Sequence, residues 1–471
     1  MQESNTERNA GGVRILVLSD LHLTDVEDNP DGWKRYKSSK YLPDHEIAGL
    51  IEMFEQAAPG RKVLVLNGDV FDFDLVTAVP ENPPWPVSRS ERKRGLDPEE
   101  GKSAWKMERI LRFHAQFVKA LAGFIAAGGE IVYVLGNHDR ELHFEAVRRT
   151  FLDRLDEQLR SMGATRSERS FRIEPWFFLE PGVLYAEHGQ QYDPYSSFHD
   201  VLDPIGMVGR RRLLILPMGN LSNRVLMSRM GFFNPHASDF ITSLWGYLKH
   251  WWRHYALSRR SLLFNWLWGS VVALGRLLRR RRWFRRPAPS QKMLEEYEKQ
   301  YGLDDERLKR LVALQHRPVG GRLYSVVREF WLDRVAMATV MTGGTVALAL
   351  VPIPLWIKLV VPLMGFPLLY FIYERFALKS TIFDYEKRLP ALAAKIADAT
   401  GAAIVAFGHT HKPRVVPLGP GKWFADTGRW APEYDESGAL VGNLNSYLWV
   451  EGNEKLSIEL GCWQNGEGKK R

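Results

Sequence analysis

Cysteine is almost absent from this sequence of 471 residues, which contains Cys462 alone. A single cysteine cannot form an internal disulfide, so a disulfide-stabilised scaffold is excluded and a reducing compartment fits. A secretion signal is also missing, because residues 1–12 are polar and the apolar run at 13–18 is too short for a signal-peptide core. We therefore expect a chain without a signal peptide, and its 45% of hydrophobic residues predicts an ordinary folded core.

Acidic residues are nearly missing from one segment, residues 204–290. This segment holds 16 lysines and arginines but one acid, Asp239, whereas the whole chain has a net charge of only +9. The remainder of the chain is therefore acidic on balance. The basic character belongs to this segment, so any anionic partner that it attracts would be a property of the segment alone.

Five short, largely apolar runs each end directly in polar side chains that are able to bind a metal or carry a proton. The runs cover residues 14–19, 62–66, 131–135, 183–186 and 403–407. Apolar runs of this length are typical of strands buried on both faces. Helix-like segments at 44–57, 106–127 and 385–400 lie between them. Such alternation indicates a layered α/β architecture whose sites gather at the carboxyl ends of strands.

The polar stretches that follow these runs form an ordered set. They are Asp20-Leu21-His22, Gly68-Asp69, Gly136-Asn137-His138-Asp139, His188-Gly189 and Gly408-His409-Thr410-His411. Each stretch alone is a weak signal, since a lone Gly-Asp is first of all a turn. Together they offer the carboxylate, amide and imidazole ligands that suit Mn, Fe or Zn better than Ca. Two divalent cations about 3.5–4 Å apart neutralise a phosphate ester and activate water, so the set predicts a two-metal hydrolase.

The ordered motifs closely resemble those of the calcineurin-like metallophosphoesterases over residues 12–200 and 381–461. The segment Asp426-Thr427-Gly428 is also similar to the Asn-Thr-Gly segment of that family. The resemblance implies a four-layer α/β fold, in which a β-sandwich is flanked by helices, here with a large and mostly helical insert. It also implies an active hydrolase with two divalent metal ions, for which we expect Mn before Fe or Zn.

The same resemblance implies a role for each motif residue. One metal would take Asp20, His22, Asp69 and His411, and the other would take Asp69, Asn137, His188 and His409. His138 would bind the phosphate or protonate the leaving group, oriented by Asp139.

One subgroup of that family, the UDP-2,3-diacylglucosamine pyrophosphohydrolases, is similar in finer detail. It shares the Asp-Leu-His-Leu stretch at residues 20–23 and the Gly-Asp-X-Phe-Asp-Phe stretch at residues 68–73, and it carries an insert at the same place. Members of the subgroup typically have Arg where this chain has His138, and their insert is far shorter. The resemblance therefore does not fix the substrate.

The predicted core, residues 12–203 and 381–465, is interrupted by an insert at 204–380. The first half of the insert is basic and rich in tryptophan, and residues 279–282 are four consecutive arginines. Its tryptophans are Trp245, Trp251, Trp252, Trp266, Trp268 and Trp283. Residues 335–373 form the most apolar stretch of the chain, and Lys358 is their one charged residue.

The apolar stretch has two interpretations. It is either a helical hairpin that enters a membrane, with Trp356 and Lys358 at the far interface, or a buried helical pair of a soluble lid. Residues 335–351 would span roughly 26 Å as a helix, slightly less than a hydrocarbon core of about 30 Å, and Pro362 and Pro367 would kink the second helix. The flanking cations favour a hairpin whose ends stay on the cytoplasmic face. These cations are Arg328, Arg334, Arg375 and Lys379.

These features predict an enzyme that cleaves a phosphodiester or pyrophosphate bond at the cytoplasmic face of a membrane. The basic, tryptophan-rich segment would bind an anionic membrane surface, and the substrate would be a phosphorylated lipid or another amphiphilic molecule. A nuclease or nucleotide phosphodiesterase with a basic substrate clamp is the alternative, because a phosphate backbone attracts the same cations. A membrane scaffold that retains the fold without activity is disfavoured by the complete metal set.

Overall fold

Two β-sheets form the centre of the protein. The computed structural model describes residues 12–30, 33–229, 231, 252, 262–285, 289, 291–377, 385–431, 445–452, 456–464 and 466–470. The larger sheet has the spatial order β14 (Glu467–Lys470), β13 (Leu456–Gln464), β12 (Ser446–Gly452), β1 (Val13–Leu18), β2 (Arg61–Asn67), β3 (Glu130–Val134), β4 (Phe171–Glu174). The smaller sheet has the order β10 (Arg414–Gly419), β11 (Lys422–Asp426), β9 (Ile404–Phe407), β6 (Leu184–Glu187), β5 (Phe177–Glu180). A separate hairpin joins β7 (Ile205–Val208) and β8 (Arg211–Leu214).

The five predicted strands are confirmed as β1, β2, β3, β6 and β9. Strands β1 to β4 run parallel to one another, and so do β6, β9 and β11. Parallel neighbours must be joined by crossovers, which are usually helical. The carboxyl ends of each parallel set therefore meet at one edge of its sheet.

The described helices include those that pack on the outer faces of the sheets and those of the insert. They are α1 (Asp44–Glu55), α2 (Arg89–Arg94), α3 (Glu100–Phe113), α4 (Ala115–Ala126), α5 (Glu145–Ser161), α6 (Met218–Val225), α7 (Leu262–Arg280), α8 (Gln291–Tyr301), α9 (Asp305–Leu314), α10 (Leu323–Glu329), α11 (Leu332–Leu350), α12 (Leu355–Phe376) and α13 (Tyr385–Thr400).

Alternation along the strands separates the apolar residues into layers. Ile15 and Val17 of β1 pack between the sheets, together with Ile404 and Ala406 of β9. Leu16 points the other way, into a cluster with residues of α1, α3, α4 and α5. The outer face of the smaller sheet packs on α13. The order helix, sheet, sheet, helix confirms the predicted β-sandwich flanked by helices.

The single helix expected at 106–127 is wrong, because α3 ends at Phe113 and α4 begins at Ala115. His114 lies between them with non-helical dihedral angles, φ −114° and ψ 35°. Its buried ring is held from both sides, with Nδ1 2.8 Å from Asp44 Oδ2 and Nε2 2.8 Å from the Thr24 carbonyl oxygen. Apolar periodicity continues through the break, so the sequence pattern did not reveal it.

The described part of the insert is mostly helical, as predicted, but its middle is not a detached lid. Leu294 and Tyr297 of α8 and Leu308 of α9 pack in the same apolar cluster as Phe177 of β5. These two helices therefore supply part of the helical layer outside the smaller sheet.

The helices α11 and α12 form an antiparallel pair with no buried residue. Among the described helices, α12 is the one long and apolar enough to cross a membrane, and none of its apolar window is buried. The expected kink takes the form of a π-helical turn at Val361–Gly365, which includes Pro362. A buried helical pair is therefore not what the structure contains.

Ion pairs tie the two helices together where they leave the body of the protein. Glu374 near the end of α12 accepts from Arg328 Nη2 at 2.6 Å and from Arg334 Nε at 2.9 Å. Asp333 accepts from Arg328 Nη1 at 3.0 Å and from the Tyr373 hydroxyl at 2.5 Å. The charged groups of the pair are thus concentrated at its base.

We expect Phe54→Ala to lower the free energy of unfolding by about 3–5 kcal/mol, because it leaves a cavity in the core. Phe54 is fully buried, with its ring centroid 5.7 Å from that of Phe124 and 5.0 Å from that of Trp449. Urea unfolding followed by fluorescence measures the change. The control is Phe113→Ala, at a partly exposed position, and an equal loss in both variants would contradict the packing argument.

Candidate metal centre

Every predicted ligand lies just beyond the carboxyl end of a strand. Asp20 follows β1, Asp69 follows β2 and Asn137 follows β3, all in the larger sheet. His188 directly follows β6, and His409 follows β9, both in the smaller sheet. The site therefore bridges the same edge of both sheets, and the sandwich packing brings the two ligand groups together.

The backbone at most of the predicted ligands is held in an unfavourable conformation. Seven non-glycine residues in the described chain have a positive φ, and five of these are Asp20, His22, Asp69, His409 and His411. A left-handed conformation costs such residues of order 1–3 kcal/mol each, and it persists only where the surroundings impose it. Strain concentrated on these five positions marks this edge as a functional site.

One group of ligands surrounds Asp20. His411 Nε2 lies 3.1 Å from Asp20 Oδ1, and His22 Nε2 lies 3.9 Å from the same oxygen. The Nε2 atoms of His22 and His411 are 3.3 Å apart. Each of the three residues offers a ligand atom within 4.8 Å of the others, a spacing at which one cation contacts all three.

A second group surrounds Asp69. His188 Nε2 lies 3.0 Å from Asp69 Oδ2, and ligand atoms of Asp69, His188 and His409 lie within 4.8 Å of one another. Asp69 Oδ2 is also 3.9 Å from His22 Nε2 in the first group. Asp69 thus lies between the two groups, where a bridging carboxylate would be.

The donor atoms fit divalent cations. Asn137 Oδ1 is buried without a hydrogen-bond partner in the described structure, and His188 Nε2, although 3.0 Å from Asp69 Oδ2, makes no well-oriented hydrogen bond, an arrangement that is costly unless something else satisfies these atoms. His188 Nδ1 donates to the Asn67 carbonyl oxygen at 2.9 Å, which leaves Nε2 facing the site. A cation between these atoms would satisfy both.

Burial alone would keep the ligand carboxylates protonated, but the neighbouring imidazoles reverse that effect. His188 and His411 outweigh burial and lower the pKa of Asp20 to about 2. His188 and His138 lower the pKa of Asp69 well below its ordinary value. Both carboxylates are therefore ionised at neutral pH and ready to bind a cation.

A family model for calcineurin-like phosphoesterases matches residues 13–254, which is just over half of the chain. The chain belongs to the calcineurin-like phosphoesterase family. Its members are metal-dependent hydrolases of phosphoester bonds, and the clustered ligands agree with that activity. No curated protein matches the chain. The pyrophosphohydrolase subgroup therefore stays a resemblance.

His138 of this phosphoesterase lies beside the ligands, with its ring centroid 5.0 Å from that of His22. Its Nδ1 is 3.2 Å from Asp72 Oδ2 and 3.1 Å from Asp74 Oδ2. Burial opposes a charged ring, but the carboxylates of Asp72 and Asp69 raise the pKa of His138 well above its ordinary value. The ring is therefore positively charged and able to donate to a phosphate oxygen.

We expected Asp139 to orient His138, but the contacts described for the His138 ring come from Asp72 and Asp74. Its carboxylate accepts from the backbone N–H of Val70 at 2.9 Å, the backbone N–H of Gly136 at 2.7 Å and the Tyr133 hydroxyl at 2.8 Å. Burial, assisted by the nearby charge of Asp69, raises the pKa of Asp139 to about 7. Asp139 joins the loops that carry Asp69 and Asn137, and Asp72 and Asp74 orient His138.

Two acids near the ligands were not assigned from the sequence. Asp72 Oδ2 is 3.1 Å from His22 Nδ1, and Asp193 Oδ2 is 3.0 Å from His409 Nε2. A carboxylate on the second ring nitrogen fixes the orientation of a metal-binding histidine. Asp72 stands in the recognised Gly-Asp-X-Phe-Asp-Phe stretch, but Asp193 has no sequence signal beyond its place five residues after His188.

Asp426 stands at the position of the asparagine in the Asn-Thr-Gly segment of the family. It is fully buried and accepts from the Thr410 hydroxyl. Burial raises the pKa of Asp426 to about 8, despite the bond from Thr410. At neutral pH the side chain is mostly protonated, and a neutral acid resembles the asparagine that it replaces.

Helix α6 brings polar side chains of the insert into the site. Asn220 Nδ2 donates to Asp74 Oδ2 at 2.6 Å and to the Asn137 carbonyl oxygen at 2.9 Å. Buried Arg224 pairs with both Asp74 and Glu141. The first residue of α6 is 79 positions beyond Asp139 and follows no motif, so sequence reasoning missed this contribution.

Two motif glycines allow ligand carboxylates to approach the backbone. A Cβ atom on Gly136 would lie 2.2 Å from Asp69 Oδ1, and one on Gly408 would lie 2.5 Å from Asp20 Oδ2. Such contacts are shorter than any van der Waals separation. Glycine at these positions is therefore required by the packing of the ligands themselves.

We expect Gly136→Ala to lower bound metal, because its Cβ would displace the Asp69 carboxylate. Elemental analysis of the purified protein after loading with Mn²⁺ measures the metal content. Gly123→Ala is the matched control, since a Cβ there meets no atom within 4 Å. Full metal content in the Gly136→Ala protein would contradict the role given to Asp69.

Proposed function

We propose that this phosphoesterase holds two divalent cations, Mn before Fe or Zn, and cleaves a phosphodiester or pyrophosphate bond of an amphiphilic, membrane-held substrate. The observation that carries the two-metal part is the position of Asp69 between two groups of ligands. Asp20, His22 and His411 would hold one cation with Asp69, and Asn137, His188 and His409 would hold the other.

The residues of this chain divide the work around those ions. When bound, the two cations would neutralise the phosphate and lower the pKa of an attacking water. Charged His138 would then donate to a phosphate oxygen or protonate the leaving group. Asp72 and Asp74 hold its Nδ1, so we assign the contact with the substrate to its Nε2. Asn223 Nδ2 lies 3.5 Å from that Nε2 and marks where the substrate would enter.

The exposed helical pair α11–α12 supports a membrane location. Leu350, Leu363 and Phe376 are 82%, 72% and 83% exposed, and contiguous apolar surfaces of this kind usually bind a partner or a membrane. The ion pairs of Glu374 and Asp333 place four charged side chains at one end of the pair. A bilayer would cover the apolar part and leave the charged base in water.

The opposite end of the pair has the makeup of a second interface. Trp356 is exposed, and Lys358 Nζ donates to the Ala349 carbonyl oxygen at 2.9 Å. Trp245, Trp251 and Lys379 lie outside the described residues.

A nuclease with a basic clamp would account for the cationic segment but not for this apolar pair, so we favour the membrane-held substrate and a cytoplasmic-face location.

We expect His138→Gln to reduce kcat on a generic phosphodiester by about 10²–10⁴-fold, the range for loss of an acid catalyst, without loss of metal. Asp69→Asn should abolish activity and also lower metal content. Bis(p-nitrophenyl) phosphate hydrolysis with Mn²⁺, together with elemental analysis, separates the two effects. Substantial activity in the Asp69→Asn protein would rule out the two-metal mechanism.

We expect Leu363→Asp/Phe371→Asp to release the protein from lipid vesicles, because the charges would have to enter hydrocarbon. Flotation with phosphatidylcholine/phosphatidylglycerol vesicles measures binding. Phe113→Asp/Met162→Asp, at exposed apolar positions of the core, should still float. Recovery of the native protein entirely in the soluble fraction at low salt would refute the membrane proposal.

A further inference from the structure

A pocket of about 310 Å³ lies where the core meets the insert. Helix α2, helix α7 and the short 3₁₀ helix Met227–Arg229 that follows α6 contribute to its wall, as do two loops of the core. We call it the basic pocket. Residues that line it include Lys34, Thr77, Arg92, Lys93, Arg229 and Asn265. No carboxylate is among the described lining residues, so the wall offers hydrogen-bond donors and positive charge.

Within the described residues, the positive charge of the basic pocket is only partly compensated. Lys34 Nζ pairs with Glu27 Oε2 at 2.9 Å. Arg229 Nη1 donates to the Lys93 carbonyl oxygen at 2.9 Å, which fixes the guanidinium without neutralising it. Arg92 and Lys93 are adjacent and exposed in the last turn of α2. Cations from separate elements therefore converge on one space.

Buried arginines behind the basic pocket add to this excess of charge. Arg94 is 7% exposed and its Nε has no hydrogen-bond partner in the described structure. Burial, followed by the charges of Arg229 and Arg276, lowers the pKa of Arg94. Asp97 is shared between Arg276 and Arg211, each at 3.1 Å. Buried cations without a full set of counter-charges are costly, and an anion in the pocket would relieve that cost.

The basic pocket is close to the proposed phosphate site. Thr77 is three residues beyond Asp74, so their Cα atoms are at most about 11 Å apart, and Asp74 Oδ2 is 3.1 Å from His138 Nδ1. Arg229 is five residues beyond Arg224, which pairs with the same Asp74. The loop after Asp74 and the segment after Arg224 therefore connect the wall of the basic pocket to the residues around His138.

We propose that the basic pocket binds a second phosphate group of the substrate while the scissile phosphate lies at the metal centre. Guanidinium groups bind phosphate oxygens with charge-assisted hydrogen bonds, and the Asn265 amide adds a neutral donor. The placement of the scissile phosphate rests on the proposed function. The pocket thereby defines the substrate class as a headgroup with two phosphates separated by a spacer.

The test uses the full-length protein with Mn²⁺ and compares two inhibitors of bis(p-nitrophenyl) phosphate hydrolysis. Fructose 1,6-bisphosphate should inhibit the native protein at least about tenfold better than fructose 6-phosphate, since one or two charge-assisted bonds contribute that much. In Arg92→Gln/Arg229→Gln the advantage should fall to about twofold or less, with kcat and inhibition by the monophosphate unchanged.

A matched variant controls for the loss of two charges. Arg112→Gln/Arg149→Gln removes two guanidinium groups whose side chains are 68% and 70% exposed, outside the pocket. It should keep the full advantage of the bisphosphate. Calorimetric titration of fructose 1,6-bisphosphate into each protein provides a second readout that does not depend on turnover.

Two results would overturn the proposal. The first is a bisphosphate advantage that survives in Arg92→Gln/Arg229→Gln, by inhibition and by calorimetry. The second is that Arg92→Gln/Arg229→Gln keeps its binding of fructose 1,6-bisphosphate and loses only its binding to phosphatidylcholine vesicles that contain phosphatidic acid. The pocket would then be a site for membrane headgroups. Failure of the native protein to hydrolyse the diester would refute the proposed function, while calorimetry would still decide whether the pocket binds the bisphosphate.

Discussion

The carboxylate of Asp69 is the group that the rest of the site is built around. Its Oδ2 is 3.0 Å from His188 Nε2 and 3.9 Å from His22 Nε2, and its Oδ1 accepts from the His138 backbone N–H at 2.7 Å. It therefore lies beside ligands that follow strands of both sheets. It also contacts the loop that carries His138, the proposed proton donor. Gly136 must lack a Cβ because this carboxylate occupies the space. The left-handed conformation at Asp69 is the backbone cost of placing one side chain between two groups of ligands.

The insert does more than extend the core. Its α6 contributes Asn220 and Arg224 to the buried polar network behind His138, and its α8 and α9 complete the helical layer over the smaller sheet. A buried charge network is stable only when every member is paired. The position of His138 consequently depends on Asn220 and Arg224 of the insert as well as on residues of the core.

The proposed membrane contact and the basic pocket would each determine a different property of the substrate of this phosphoesterase. The apolar pair α11–α12 would set the surface at which the enzyme works, and the pocket of Arg92 and Arg229 would select a headgroup with a second phosphate. The metal centre would be indifferent to both, because two cations recognise any phosphate ester. Specificity would therefore reside in the insert and in its junction with the core.

The sequence by itself determined the strands, the candidate ligands at their ends and the apolar stretch of the insert, because each depends on local apolar patterning and on residue chemistry, whereas the exposure of the α11–α12 pair came from the structure. It did not reveal the break at His114, since the ring is held by Asp44 and Thr24 from distant segments. Only the tertiary structure placed Asp72 and Asp74, rather than Asp139, on the ring of His138. It alone brought α6 and Asp193 to the site, and Arg92 of α2 and Arg229, four residues beyond α6, to one pocket. Contacts between side chains far apart in the chain follow from packing, and a single sequence carries no local signal for them.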